Sequence, residues 1–102
     1  MPRKEQKTLR EIKGHLKELK PVLISQFKVK SIEVFGSFTR GDQTEQSDID
    51  LLVTFSEPYN LWELLDAKEF LAKKLHMKVD LVPKDSIKSA IKSQILQEAT
   101  PI

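Results

Sequence analysis

The sequence predicts an α+β fold, a small mixed β-sheet covered by helices, in the order α-β-α-β-α-β-α. Short apolar segments of strand character alternate along the chain with segments whose apolar residues recur at helical spacing. Residues 48–55 form a largely continuous apolar run, typical of a strand covered on both faces. With 102 residues, we expect one domain spanning residues 1–102.

The first half of the chain contains one long helical pattern and one short strand. Residues 8–27 carry a single apolar stripe at steps of three or four: Leu9, Ile12, Leu16, Leu19, Leu23 and Phe27. Pro21 removes a backbone N–H, so we expect a kink or break there and a second helical segment beginning at Pro21. Residues 31–35 alternate as a strand does, and Gly36 ends it.

The middle of the chain supplies the central strand and a second long helix. Residues 36–41 include small residues that can begin a short helix, and the polar residues 42–47 predict a loop. Residues 48–55 are the predicted central strand. Residues 61–75 show helical periodicity, with Asn60 as the candidate N-cap.

The C-terminal part predicts a third strand and a last helix. Residues 77–82 are strand-like and are stopped by Pro83, and either Asp85 or Ser86 can cap the helix that follows. Its inward positions are Ile87, Ile91, Ile95 and Leu96. Because a helix of crossover length joins the second and third strands, we expect this pair to be parallel and the first strand to run antiparallel.

Composition limits the possible chemistry. The chain has no cysteine and two isolated histidines, so any metal is expected to be held by oxygen ligands. No apolar run approaches the roughly 18 residues of a membrane-spanning helix, and the N-terminus lacks the apolar stretch of a secretory signal. These features predict a cytoplasmic protein without a membrane partner.

Charge is unevenly distributed along the chain. Residues 1–20 hold seven basic and three acidic residues, a net charge of +4, whereas residues 42–69 hold eight acidic residues and one basic residue, a net charge of −7. The basic segment suits an anionic partner, but a solvated helix face explains it as well. Nucleic acid is therefore not the favoured partner.

Three aspartates on two predicted strands form the candidate metal site. Asp48 and Asp50 are two residues apart on one strand, so both leave the same face, and their Cα atoms lie about 6.6 Å apart. Asp80, on the strand expected beside it, adds a third carboxylate. Carboxylates without histidine or cysteine suit Mg²⁺ or Mn²⁺, and three of them fit a two-metal site for phosphoryl or nucleotidyl transfer.

Gly36 and Ser37 form the candidate phosphate end of this site. Glycine allows the backbone to approach an oxyanion closely, and the serine hydroxyl and the amides of a helix beginning there can donate to phosphate. Arg40, one turn further on, adds a fork of donors. A Gly-Ser pair alone is a weak signal, but its combination with the three aspartates is a stronger one.

Three motifs carry a family resemblance. The segments Gly-Ser-Phe-Thr-Arg-Gly at 36–41, Ser-Asp-Ile-Asp-Leu-Leu-Val at 47–53 and Val-Asp-Leu-Val at 79–82 resemble the signature of the DNA polymerase beta-like nucleotidyltransferase superfamily. Within it, the chain is most similar to minimal nucleotidyltransferases (MNT domain), including antitoxins of the MntA type.

The resemblance implies a role for each motif residue. Asp48 and Asp50 would each ligate two Mg²⁺ ions, and Asp80 would bind the catalytic ion and orient or deprotonate the acceptor hydroxyl. The implied reaction transfers AMP from ATP to a hydroxyl and releases pyrophosphate. Gly36 and Ser37 would hold the triphosphate, with Arg40 as a supporting contact.

The resemblance also implies a partner. About 100 residues leave no room for an acceptor domain, so another molecule is expected to present the hydroxyl. Minimal members are similar to antitoxins that neutralise a HEPN-type toxin by adding AMP to one of its tyrosines. The alternative is a non-catalytic nucleotide-binding module that neutralises a partner by occlusion. Tyr59 and Trp62 are left open between an exposed contact and core packing.

Overall fold

The computed structural model describes residues 8–41 and 48–102. The described elements follow the predicted order, with one short strand added at the end. They are α1 (Leu9–Gln26), β1 (Val29–Phe35), α2 (Ser37–Arg40), β2 (Ile49–Phe55), α3 (Leu61–Leu75), β3 (Val79–Pro83), a 3-10 turn (Lys84–Ser86), α4 (Ser89–Glu98) and β4 (Thr100–Pro101).

The strands form one mixed sheet in the order β3-β2-β1-β4. β2 and β3 are parallel and are joined through α3, while β1 runs antiparallel to β2. Both orientations confirm the prediction, since a helical crossover returns the chain in the same direction and a shorter connection does not need to. β2 is a central strand, as predicted, and β3 is an outer strand.

One side of the sheet holds the hydrophobic core. Alternate residues of β2 point to this side and are fully buried: Ile49, Leu51 and Val53. They join the buried stripes of the two long helices, which are Ile12, Leu16 and Leu23 from α1 and Ala67, Leu71 and Leu75 from α3. The opposite side of β2 therefore carries Asp50, Leu52 and Thr54.

Capping boxes set the first residue of both long helices. The Asn60 side chain accepts from the Glu63 backbone N–H at 2.9 Å, and the Glu63 carboxylate accepts from the Asn60 N–H at 3.0 Å. Thr8 and Glu11 make the same reciprocal pair at the start of α1. For α3, both the N-cap and the bounds match the prediction.

The predicted break at Pro21 is wrong, because α1 continues through this residue to Gln26. Pro21 lies on the exposed side of the helix, where water can bond the carbonyl that loses its N–H partner. Leu16 and Leu23, on either side of it, are both buried in the core. Burial of one continuous stripe holds the two halves in a single helix.

The bounds of two strands and the start of the last helix differ from the prediction. β1 begins at Val29, earlier than predicted. β3 comprises Val79–Pro83, so Pro83 is the last residue of the strand and not the first residue after it. Asp85 and Ser86 lie in the 3-10 turn, and α4 begins after Lys88 without a side-chain cap. The Asp85 carboxylate instead accepts a hydrogen bond of 3.0 Å from the Tyr59 hydroxyl.

The expectation that α4 buries its apolar residues is also wrong. None of its residues is buried, and Ile91 and Leu96 remain 49% and 38% exposed. Sequence analysis also missed β4, which pairs with Val34 and Glu33 of β1. The predicted loop at 42–47 and the basic residues 1–7 lie outside the described residues. No described helix combines the length and apolar character needed to cross a membrane.

Candidate active site

The three predicted aspartates meet at one end of the two parallel strands. Asp50 of β2 and Asp80 of β3 are register partners, so their Cα atoms lie about 4.8 Å apart on neighbouring strands. Asp48 directly precedes β2 and lines the same cavity as Asp80. The parallel pairing of β2 and β3 is what brings residues 48 and 80 to the same place.

Gly36 lies directly against Asp50. It follows β1, whose last residue, Phe35, is the register partner of Asp50. A Cβ atom on residue 36 would collide with the Asp50 carboxylate and lie 2.9 Å from its Cγ. The backbone of Gly36, at φ 79° and ψ −148°, is close to a region that essentially only glycine occupies. Both observations require glycine here.

The turn after Gly36 is fixed by local hydrogen bonds. The Thr39 hydroxyl donates to the Gly36 carbonyl at 2.8 Å, and the Thr39 backbone N–H donates to the same oxygen at 3.1 Å. Ser37 begins the four-residue helix α2 and is partly exposed. Gly36 and Ser37 therefore lie beside the aspartates, as the sequence predicts for a phosphate-binding end.

Partial burial and neighbouring charges shift the pKa of Asp50. Partial burial raises the pKa of its carboxyl above the ordinary range, and the negative charges of Asp80 and Asp48 raise it further. The positive charge of Arg40 acts in the opposite direction, and Glu98 adds another raising contribution. The centre therefore holds an excess of negative charge that disfavours an ionised Asp50.

Glu98 is a site residue that sequence analysis missed. It lies at the end of α4, and its Oε1 accepts from Arg40 Nη1 at 3.0 Å, linking α4 to α2. The two residues are 58 positions apart, and no motif connects them. Only the packing of α4 beside the sheet, which a sequence pattern does not specify, brings Glu98 to this place.

The donor set fits a hard divalent cation. It consists of carboxylate oxygens; partial burial, followed by the negative charges of Asp80 and Asp48, raises the pKa of Asp50, and a bound dication would neutralise those charges. Within residues 8–41 and 48–102, however, no three acidic or histidine side chains are gathered tightly enough to hold one ion as they stand. Ligation by Asp48, Asp50 and Asp80 therefore stays a prediction that requires the side chains to move closer together.

Two cavities lie at opposite ends of β2. The one that contains Asp48 and Asp80 has a volume of about 540 Å³. A larger cavity of about 840 Å³ lies at the far end, where its lining includes Phe55, Tyr59 and Lys92. None of the six predicted site residues lines the larger cavity, so volume alone points to the opposite end of β2 from the predicted site.

Comparison with known proteins decides the family. The model of the nucleotidyltransferase domain matches residues 9–102, a range that contains all six predicted site residues. This chain belongs to the nucleotidyltransferase family. The resemblance drawn from the three motifs is thereby confirmed, and so is the prediction of a nucleotidyltransferase enzyme.

Curated relatives in this family match almost end to end. The protein adenylyltransferase MntA of Thermococcus cleftensis is 43% identical over 91 residues, covering 89% of this chain and 92% of the relative. MJ0126 of Methanocaldococcus jannaschii is 44% identical over 92 residues, covering 90% of this chain and 94% of its own length.

Solved structures confirm the predicted fold. A minimal nucleotidyltransferase superposes with a TM-score of 0.81 at 28% identity, covering 97% of this chain and all of that one. A crystal structure of a toxin-antitoxin with AMP-PNP matches with a TM-score of 0.70 at 26% identity, covering 85% of this chain and 70% of that chain. A small mixed sheet with helices is the fold of both.

Proposed function

We propose that this chain is an Mg²⁺-dependent protein adenylyltransferase that transfers AMP from ATP to a hydroxyl of a partner protein. The observation that carries the proposal is the meeting of Asp48, Asp50 and Asp80 beside a glycine that admits no side chain. The relative named protein adenylyltransferase MntA, with 43% identity over most of both chains, supports a protein as the acceptor.

Each residue has a task in the proposed reaction. Asp48, Asp50 and Asp80 would hold two Mg²⁺ ions, or Mn²⁺ in their place, which neutralise phosphate charge and lower the pKa of a bound hydroxyl. Gly36 and Ser37 hold the triphosphate, and Arg40 balances negative charge on the same side. Glu98 orients Arg40 through their 3.0 Å ion pair.

The bond changes balance within this site. The acceptor oxygen attacks the α-phosphorus of ATP, the bond from that phosphorus to the bridging oxygen breaks, and pyrophosphate leaves with the bonding electrons. Asp80, on the outer strand, accepts or directs the proton of the hydroxyl.

We further propose that the acceptor is a tyrosine of a HEPN-type toxin and that this chain is the antitoxin of the pair. A toxin-antitoxin structure with AMP-PNP among the similar structures supports this assignment. The proposal places the reaction in the cytoplasm, where ATP and Mg²⁺ are abundant. Nucleic acid and membranes have no part in it.

The test is the intact mass of the partner after incubation with this chain, ATP and Mg²⁺. We expect the partner to gain one or more AMP units and its tyrosine to carry them. The double variant Asp48→Asn, Asp50→Asn is expected to give no gain. The matched control is Asp66→Asn, an exposed residue of α3, which is expected to transfer like the wild type.

Two results would contradict the proposal. A stable complex with no mass gain in the wild type would support neutralisation by occlusion, with the aspartates reduced to a nucleotide-binding role. Undiminished transfer in the double variant would remove the aspartates from the mechanism. A gain on a residue other than tyrosine would correct the acceptor and leave the enzyme class intact.

A further inference from the structure

An exposed apolar patch lies on the first half of α3. Leu61, Trp62 and Leu65 are 61%, 72% and 40% exposed, although the opposite side of the same helix is buried in the core. Their spacing of three and four residues places them together on the helix surface. We call these three residues the α3 patch. Trp62 is thus exposed and not packed in the core, which excludes one of the two alternatives that the sequence left open.

The α3 patch continues into a groove that ends at the catalytic carboxylates. The groove, between α3 and the start of β3, is the cavity of about 540 Å³ described above. Leu65 belongs to both the patch and the groove, which Lys68, Glu69, Lys78 and Asp80 also line. We call this cavity the α3-β3 groove. A molecule that contacts the α3 patch can therefore extend through Leu65 into the groove that Asp48 and Asp80 line.

The sheet order shows from which side an acceptor must come. The proposed triphosphate end follows β1, whereas β3 is the outer strand on the other side of β2. In an in-line displacement the attacking oxygen approaches opposite the leaving pyrophosphate. The acceptor therefore enters from the β3 side, and the α3-β3 groove lies there.

We propose that the α3-β3 groove receives the hydroxyl-bearing segment of the partner protein and that the α3 patch anchors the partner beside it. This inference rests on the proposed function. An exposed tryptophan next to mixed charges has the composition of a protein interface, an apolar anchor with a polar rim. Lys68 and Lys78 line the groove and can pair with acidic side chains of the partner.

A second copy of this chain fits the groove poorly as a substrate. Tyr59 is the only tyrosine in the sequence. Its ring stacks on Phe55 with centroids 4.1 Å apart, and its hydroxyl donates to Asp85 at 3.0 Å. Because this tyrosine is already held by the fold, the occupant that we assign to the groove is a different protein.

The experiment measures AMP transfer to the purified partner for the wild type, Trp62→Ser, Lys68→Glu and the control Ile91→Ser. Ile91 is an exposed apolar residue of α4 that does not line the groove. We expect Trp62→Ser to raise KM for the partner at least about tenfold with little change in kcat, because it removes binding remote from the reacting atoms. Lys68→Glu is expected to raise KM less, and Ile91→Ser to leave it unchanged.

A further readout, ATP binding, separates this inference from the proposed function. The dissociation constant for ATP with Mg²⁺ is expected to be the same in all four proteins, which also shows that each is folded. If the wild type transfers AMP and Trp62→Ser and Lys68→Glu keep its KM, the groove inference is wrong and the proposed function stands. Equal rises in KM for Trp62→Ser and Ile91→Ser would also overturn it.

If the wild type modifies no protein but does modify a small alcohol, the proposed protein acceptor fails, and its docking in the groove fails with it. A dimer of this chain that Trp62→Ser dissociates, with KM for the partner unchanged, would assign the patch to self-association instead. Sedimentation of both proteins at the assay concentration distinguishes that result.

Discussion

The helices on the two sides of the sheet are fixed by different interactions. On the core side, α1 and α3 begin with capping boxes and bury continuous apolar stripes. On the other side, α4 has no side-chain cap and no buried residue, and its end is tied to α2 by the ion pair of Arg40 and Glu98. Stability is therefore concentrated on the core side, while the second side carries the charges that the proposed reaction uses.

The comparison predicts that substitutions on the second side change activity without loss of the fold. Asp50→Asn is the clearest case, because it keeps the shape of the side chain and removes its charge. We expect the rate of AMP transfer to fall by more than about a hundredfold. Loss of a residue that only hydrogen-bonds to a metal ligand already lowers metal affinity or activity by about 10 to 100-fold, and Asp50 is a proposed ligand itself. The measurement is the initial rate at saturating ATP and Mg²⁺.

The same variant is expected to be more stable without metal. Burial and the charges of Asp80 and Asp48 raise the pKa of Asp50 in the folded state, so its ionisation destabilises the fold above that pKa. At pH 7 the Tm of Asp50→Asn should exceed that of the wild type. The difference should vanish below the ordinary carboxyl pKa, where both side chains are neutral. A lower Tm at pH 7 would contradict this account.

On the core side, substitutions are expected to lower the stability of the fold. Leu71 is fully buried in α3, so Leu71→Ala is expected to lower the free energy of unfolding by about 2 to 5 kcal/mol. Ile91→Ala on α4, where the side chain is 49% exposed, should cost less than about 0.5 kcal/mol. Urea unfolding of both variants measures the contrast, and similar costs would show that α4 contributes to the core after all.

On the same side, the capping box of α3 makes a smaller contribution to the free energy of unfolding. Asn60→Ala removes the acceptor of the 2.9 Å bond from Glu63 N–H and should cost about 1 kcal/mol. Lys88→Ala, at the start of α4, is the matched control because Lys88 makes no side-chain cap. Thermal unfolding of both variants is the measurement, and a larger loss for Lys88→Ala would break the comparison.

The smallest expected effect is a pH-dependent ion pair on the core side. Lys28 Nζ lies 2.6 Å from Glu63 Oε2, and this hydrogen bond, together with the Asn60 N–H, lowers the pKa of Glu63. The stabilisation is present above the unfolded pKa and is lost as pH falls through the folded value. Glu63→Gln keeps a capping acceptor, so its small Tm deficit at pH 7 should close in acid and shrink in salt. A deficit that persists below the folded pKa would contradict this assignment.

The core side was largely predictable because local signals and burial agree there. Asn60 and Glu63 mark the start of α3, and the apolar spacing up to Leu75 gives its length. The predicted break at Pro21 was wrong because the prediction considered the lost backbone hydrogen bond and not the burial of Leu16 and Leu23 on either side of it. The bounds of β1 and β3 shifted by one or two residues, since pairing partners rather than composition end a strand.

The second side was predictable only where chemistry is concentrated in a motif. The positions of Gly36, Asp48, Asp50 and Asp80 followed from their spacing and the parallel pairing of two strands. Contacts between residues distant in sequence determine the rest. They set the exposure of α4, the pairing of β4 with β1 and the position of Glu98 beside Arg40. A periodic pattern such as that of Ile87, Ile91 and Ile95 indicates a helix but not how much of it is covered.

The contact of Gly36 with Asp50 has a consequence for protein design. One missing Cβ atom satisfies two independent constraints, a backbone conformation and the space for a carboxylate. A library that varies residue 36 would therefore contain almost no tolerated replacement, even if residue 50 were varied with it. Variation aimed at a new partner therefore belongs in the proposed α3-β3 groove, whereas residues 36 and 50 have to be copied together as one unit.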